Sequence, residues 1–317
     1  MTVTIHWQLD VAGEPARGEP AVRMALPALI RDVRRPGQNR FDYYAQVAVA
    51  VAQAGFDGLY LPHRDTADDT RIVAAAIARE ARRVALVPEF PASVGSAVYA
   101  AKQAATFQRH TGGRLGWAIA PHGDAAARAA RSDHVADEDL AQRLEDFLTV
   151  ARGVHGQRPF TFKSAFFEVE NGGFEDPLTR VPFPTVYLQG EQEEDLAISA
   201  RLGDVHLFRP SRDLAALIEG LDGLSRQAGR TVTYGLRQPV LTRETDAEAE
   251  AEAARTPQPA GAIVGGYDTV AVRLAALAAQ GIGHFVLSAA PQLEEAYRIG
   301  QHVLPRLRAR LTPAQAA

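Results

Sequence analysis

Arg209 and Arg237 each stand at the end of a short apolar run, where two guanidiniums from neighbouring strands could hold one small anion such as a sulfonate or carboxylate. Glu89, Asp65 and Glu191 are the acids that could pair with these arginines instead. His63 follows another apolar run in a polar turn and is the candidate proton donor, with His122 in a similar position. We take Arg237, Arg209 and His63 as the candidate catalytic set. The remaining histidines, among them His6, His206 and His284, come from separate units without ligand-like spacing, so no metal site is expected. The chain has no cysteine, which removes thiolate nucleophiles, thiolate metal ligands and disulfides.

Positioning such residues takes a sheet with helices behind it. Eight strand-like runs span Val3 to Leu9, Gly58 to Leu61, Val84 to Phe90, Arg114 to Ala120, Thr185 to Leu188, Asp204 to Phe208, Thr231 to Leu241 and His284 to Leu287. Helical patterns with apolar residues three and four apart lie between them, for example Asp42 to Ala54, Ser96 to Thr111, Ala141 to Val154 and Tyr267 to Ala279. This alternation predicts a parallel sheet, and eight units favour a closed (β/α)8 TIM barrel over an open sheet. In such a barrel the turns after the strands form the mouth that carries the site. Two stretches break the rhythm. Asp10 to Arg40 reads as an extended loop over the mouth, and Phe160 to Val186 as a β-hairpin excursion before the fifth strand. The last residues, Thr312 to Ala317, read as a frayed tail, and residues 1–317 as a single domain.

At 317 residues and 46% hydrophobic content the chain can bury a large core. A formal charge of -4 gives no electrostatic reason to bind nucleic acid or an anionic membrane. No secretory leader and no uncharged apolar run of about 18 residues is visible, so a cytoplasmic location is expected.

Four segments resemble one family. They are Ala54-Gly-Phe-Asp-Gly-Leu-Tyr-Leu-Pro62, Ala100-Ala-Lys-Gln-Ala-Ala-Thr-Phe-Gln-Arg-His-Thr-Gly-Gly-Arg114, Tyr234 to Asp246, and the closing Gly281 to Arg298. In this order they resemble the bacterial-luciferase-like flavin monooxygenases, specifically the alkanesulfonate monooxygenase branch. The resemblance implies a TIM barrel and reduced FMN delivered by a separate flavin reductase. It also implies O2 chemistry on a small organic anion such as an alkanesulfonate. It further implies a homodimer, or pairing with a homologous subunit, through helices near the second and third units. There the alanines Ala74-Ala75-Ala76, Ala100-Ala101 and Ala104-Ala105 would let helices approach closely. Cofactor contacts implied by the resemblance fall on Gly190, Glu191 and Gln192 after the fifth strand, and on His134.

Several family positions are altered. Where the family holds the FMN phosphate at a helix N-terminus with glycine and hydroxyl residues, this chain has Gln189-Gly-Glu-Gln-Glu-Glu-Asp195. Those acids either cap their own helix or, through Glu191, take the phosphate's place. The family's tyrosine in the closing turn is Ala290, and the histidine expected two residues after Arg237 is Pro239. The long lid after strand seven is reduced to roughly Arg255 to Gly266. A flavin-free, non-catalytic member serving as a binding or partner-subunit scaffold is the alternative that these changes raise. A deazaflavin in place of FMN is also open.

Overall fold

In a computed structural model that describes residues 3–12, 40–93 and 95–312, the barrel strands are buried on both faces, with Gly58–Leu61, Gly116–Ile119 and Val205–Phe208 buried at every position. The strands are β1 (Thr4–Gln8), β2 (Gly58–Leu61), β3 (Ala85–Phe90), β4 (Gly116–Ile119), β5 (Phe160–Lys163), β6 (Glu168–Gly172), β7 (Thr185–Gln189), β8 (Val205–Phe208), β9 (Thr233–Arg243), β10 (Ile263–Gly266) and β11 (Ile282–Ser288). Eight of them, β1, β2, β3, β4, β7, β8, β9 and β11, pair in parallel in that order. β11 pairs back onto β1 through Thr4↔His284 to Trp7↔Leu287, which closes the barrel. These are the eight strands the sequence predicts. The expected extended loop falls mainly on residues 13–39 and the tail on residues 313–317, outside the described residues.

The helices are α1 (Arg40–Gln53), α2 (Thr70–Ile77), α3 (Ala97–Thr111), α4 (Ala125–Ala130), α5 (Leu140–Gly156), α6 (Glu193–Leu202), α7 (Leu214–Gln227), α8 (Asp246–Ala253), α9 (Tyr267–Ala279), α10 (Gln292–Arg298) and α11 (Leu304–Leu311). Their apolar stripes meet the outward strand positions. Ile5, Trp7, Leu59, Leu61, Phe285 and Leu287 form one fully buried layer with Val47, Val51, Leu304 and Leu307. Each such side chain contributes about 1.5–3 kcal/mol by leaving water.

Inside the barrel a second layer joins Tyr60, Val87, Ala118, Tyr187, Val205, Leu207 and Val286. Glycines make room for its large members. A Cβ on Gly58 would sit 2.3 Å from His6 Nδ1, and one on Gly116 would sit 3.0 Å from the Tyr187 ring. The interior is therefore not purely apolar: Tyr187 Oη lies 3.2 Å from His6 Nε2 and 3.4 Å from His284 Nδ1.

Two features sit outside the barrel wall. The β5–β6 antiparallel hairpin is the predicted excursion, and it docks by Phe160 onto Gly153 of α5, where a Cβ would meet the ring at 2.1 Å. The second was not foreseen. β9 runs eleven residues; its first half belongs to the barrel, and its second half pairs with β10 from Ile263↔Val240 to Gly266↔Arg243. The shortened lid thus ends in a ninth parallel strand. Among the described residues no helix is long and apolar enough to cross a membrane.

Candidate functional site

Inward-facing residues at the C-terminal strand ends build the mouth. Glu89 on β3 is buried, and its carboxylate accepts from Gln189 Nε2 on β7 at 2.7 Å and from the His63 backbone N–H at 3.2 Å. Arg237 on β9 donates from Nη1 to Gln189 Oε1 at 3.1 Å and from Nη2 to Gln8 Oε1 of β1 at 3.4 Å. Its guanidinium lies 5.0 Å above the Tyr60 ring and 4.0 Å from the Glu89 carboxylate. Burial first, and the Glu89 charge second, push the Tyr60 phenol well above its usual range, so Tyr60 stays a neutral platform for the cation. Arg237 keeps 17% of its side chain exposed and so reaches solvent at the mouth.

Arg209 follows β8, one residue beyond the registered pair Phe208↔Leu236, so it stands beside Arg237 on the neighbouring strand. It is exposed. The sequence-based pairing of Arg209 with Arg237 at one rim is therefore geometrically available. His63 is reached differently. Its Nε2 lies 3.1 Å from Asp65 Oδ1, and Arg131 Nη1 donates to the same oxygen at 2.6 Å. That Arg131 bond is the largest cause holding the Asp65 carboxyl below its usual range. Arg131 also donates to the His122 carbonyl at 2.6 Å, which links the turns after β2 and β4. Burial, then the positive Arg143, lower the His122 imidazole.

His134 is exposed, while its neighbour Asp133 is buried and takes a two-pronged bond from Arg143 at 2.6 and 2.8 Å. Arg143 brings the Asp133 carboxyl down to about 2. The chemistry of that pair is structural: it fastens the loop before α5. Arg114, at the end of the second family-like segment, is likewise committed to the carbonyls of Ala78, Ala81 and Val84.

The turn after β7 corrects one expectation. Glu191 is exposed, and the carboxylate that folds back onto the start of α6 is Asp195. Gly190 has φ +135°, and this left-side turn lets Gln192 N–H donate to Asp195 Oδ2 at 3.2 Å. A Cβ on Gly190 would lie 2.2 Å from that oxygen. Buried His206 pins the turn from below, with Nε2 3.1 Å from the Gly190 carbonyl and Nδ1 2.7 Å from Ser199 Oγ. Burial raises the Asp195 carboxyl and the nearby Glu194 charge adds to it, so negative charge is already crowded here. Asp195 fills the space beside Gly190 and takes the Gln192 N–H, so a phosphate dianion at the start of α6 would meet a carboxylate there.

Gln8, Tyr60, Arg131, Gln189 and Asp195 are mouth residues that sequence reasoning did not single out. Gln8 and Gln189 carried a signal: each is the polar last residue of its strand, on the inward parity. The reduced lid is fastened as well. Gln238 donates to the carbonyls of Pro239 and Gly261, and Arg243 joins Glu252 of α8 to buried Glu295 of α10.

Residues 22–309 match the family model described as Luciferase-like monooxygenase. The chain belongs to that family. Among solved structures it is similar to a riboflavin lyase determined with modified FMN and substrate riboflavin. The TM-score is 0.82 at 15% identity, covering 100% of this chain and 93% of that one. It is also similar to EDTA monooxygenase from Chelativorans sp. BNC1, with a TM-score of 0.78 at 17% identity and coverage of 98% and 94%. A coenzyme F420 dependent tetrahydromethanopterin reductase from Methanopyrus kandleri gives 0.74 at 13% identity, covering 97% and 100%. At these identities the likeness concerns the fold.

Proposed function

We propose that this luciferase-like barrel is a flavin-dependent oxidoreductase that takes a small organic anion at its mouth, with Arg237 as the anion's main anchor and Arg209 as its rim partner. The observation that carries this reading is the seating of Arg237. It bonds directly to two neutral amides, stands 4.0 Å from the acid Glu89, and opens to solvent. A carboxylate or sulfonate approaching along that opening meets a positioned cation whose orientation Gln189, Gln8 and Tyr60 have already fixed. His63 lies on the same rim with Asp65 to orient its ring, which suits proton delivery to a bound anion's leaving group. An alkanesulfonate is the substrate we favour, with O2 and a reduced flavin from a separate reductase as co-reactants. Reduced FMN is the form the family resemblance implies, and EDTA monooxygenase and riboflavin lyase among the similar folds are compatible with a flavin-type cofactor.

Anaerobic titration with reduced flavins, followed by admission of O2 with an alkanesulfonate and assay of released sulfite, tests the reading. Binding followed by sulfite release supports it. Failure of every flavin to bind at hundreds of micromolar refutes it and favours the second reading, a flavin-free partner scaffold. That second reading is favoured by one specific observation, Asp195 seated at the start of α6.

For assembly, we propose a homodimer through the outer groove between α2 and α3. This groove encloses about 860 Å³ over a floor of Pro88, Leu115 and Trp117, and Ile72 and Tyr99 on its flanks are 68% and 61% exposed. Apolar surface of that kind is more often covered than left in water.

A further inference from the structure

Unpaired N–H groups at helix N-termini are one place where a fold can hold a phosphate. At three helices of this barrel the chain's own carboxylates occupy such N–H groups. At α6, Asp195 Oδ2 accepts from Gln192 N–H at 3.2 Å. At α9, Asp246 Oδ1 accepts from Gly266 N–H at 2.6 Å while its other oxygen accepts from Thr269 Oγ1 at 3.0 Å. At α2, Asp69 Oδ1 accepts from the N–H groups of Arg71 and Ile72 at 2.9 and 3.0 Å.

The α6 and α9 sites carry glycines that would otherwise invite an anion. The space beside Gly190 is filled by Asp195, and a Cβ on Gly265 would lie 3.0 Å from Asp246 Oδ1. Glutamates 193 and 194 add two more negative charges to the first turn of α6. The β7 strand that ends in Gln189, a member of the Arg237 cluster, leads directly into this turn, so a ligand lying across the mouth meets Asp195 with whichever end points that way.

We infer that the mouth discriminates against phosphate-bearing flavins and accepts the phosphate-free form, riboflavin, in preference to FMN. The inference rests on the flavin reading above and narrows it. The two flavins differ only at the terminal group: a dianion in FMN, a neutral hydroxyl in riboflavin. A dianion beside Asp195, Glu193 and Glu194 is repelled, and the Gln192 N–H it would need there is already given to Asp195. A hydroxyl can donate to the Asp195 carboxylate without disturbing the cap.

The experiment is a pair of fluorescence-quenching titrations of the full chain, with riboflavin and with FMN in their stable oxidised forms, repeated with Asp195→Asn. Asn keeps a carbonyl that can accept from Gln192 N–H and removes the charge. Riboflavin should bind about tenfold or more tighter than FMN at low salt. The ratio should fall to about threefold or less in Asp195→Asn. It should also shrink in the wild type as salt rises towards 1 M, where the screening length is about 3 Å, and this arm does not depend on the variant folding. FMN binding as tightly as riboflavin, or tighter, overturns the inference while leaving the flavin reading intact. Binding of neither flavin overturns both. A ratio unmoved by salt and by Asp195→Asn overturns the electrostatic cause, and the inference with it.

Discussion

Acidification should unfold this barrel earlier than its net charge suggests, and three buried histidines set the size of the effect. Burial, with the nearby His284 charge second, pushes His6 down to about 3; burial brings His284 to about 4; and burial, opposed by the Gly190 carbonyl, brings His206 to about 4. All three are held neutral in the fold, whereas an unfolded chain protonates them near 6.5. The unfolded state therefore binds more protons below that value, and stability falls as pH drops from about 6.5 towards 4. At pH 5 a fully buried histidine of this kind costs about 2 kcal/mol relative to pH 7.5. Counting His6 and His206 in full, and the partly open His284 at half, gives a loss of about 5 kcal/mol, comparable to the whole stability of many domains. Asp195 and Glu295 work in the opposite sense, since burial raises both and each gains a little stability as pH falls, so the net loss should be about 3–5 kcal/mol. Asp133, held down to about 2, adds its own loss only below about pH 4. Urea unfolding followed by circular dichroism at pH 7.5, 6 and 5 measures the slope. His6→Gln should be less stable than wild type at pH 7.5, having lost the bond to Tyr187, and should recover about 2 kcal/mol of the difference by pH 5. An unchanged midpoint between pH 7.5 and 5, or a variant that tracks the wild type at every pH, would refute the reasoning.

Other outcomes follow from single contacts. Arg237→Met removes the cation beside buried Glu89, so it should destabilise by about 1–3 kcal/mol and abolish protection of the protein by small sulfonates in a thermal-shift assay. Gly153→Ala places a Cβ against the Phe160 ring and should cost about 1–3 kcal/mol in chemical denaturation, releasing the β5–β6 hairpin to limited proteolysis before the barrel opens. Asp133→Asn breaks a buried charge pair with Arg143 and should cost about 3 kcal/mol, lowering the melting temperature by several degrees. Ile72→Asp with Tyr99→Glu should convert a dimer to a monomer by light scattering with the circular dichroism spectrum unchanged; a wild type that is monomeric at micromolar concentration removes the proposed α2/α3 interface.

Period and punctuation in the chain determined the barrel. Eight short, mostly apolar runs separated by helical stripes leave closed parallel pairing as the arrangement that buries both faces of every strand. The Phe160 hairpin was legible for the same reason, because two-residue alternation is local. The strand-end positions of Arg209, Arg237 and His63 were legible too, since a residue that ends a barrel strand must lie at the mouth. What each of these side chains touches was not legible, because those partners arrive from strands far apart in the chain. Glu89 meets Gln189 a hundred residues on, and Arg237 reaches Gln8 across 229 residues. Choosing among the acids after Gly190 was likewise a tertiary decision. Glu191, Glu193, Glu194 and Asp195 are alike in composition, but the φ of +135° at Gly190 and the anchoring of its carbonyl by His206 turn Asp195 back onto Gln192 N–H and leave Glu191 in solvent. The strand β10 was hidden by the same limit: four residues, Ile-Val-Gly-Gly, carry too little pattern to announce a strand, and become one where the overlong β9 offers an unpaired edge.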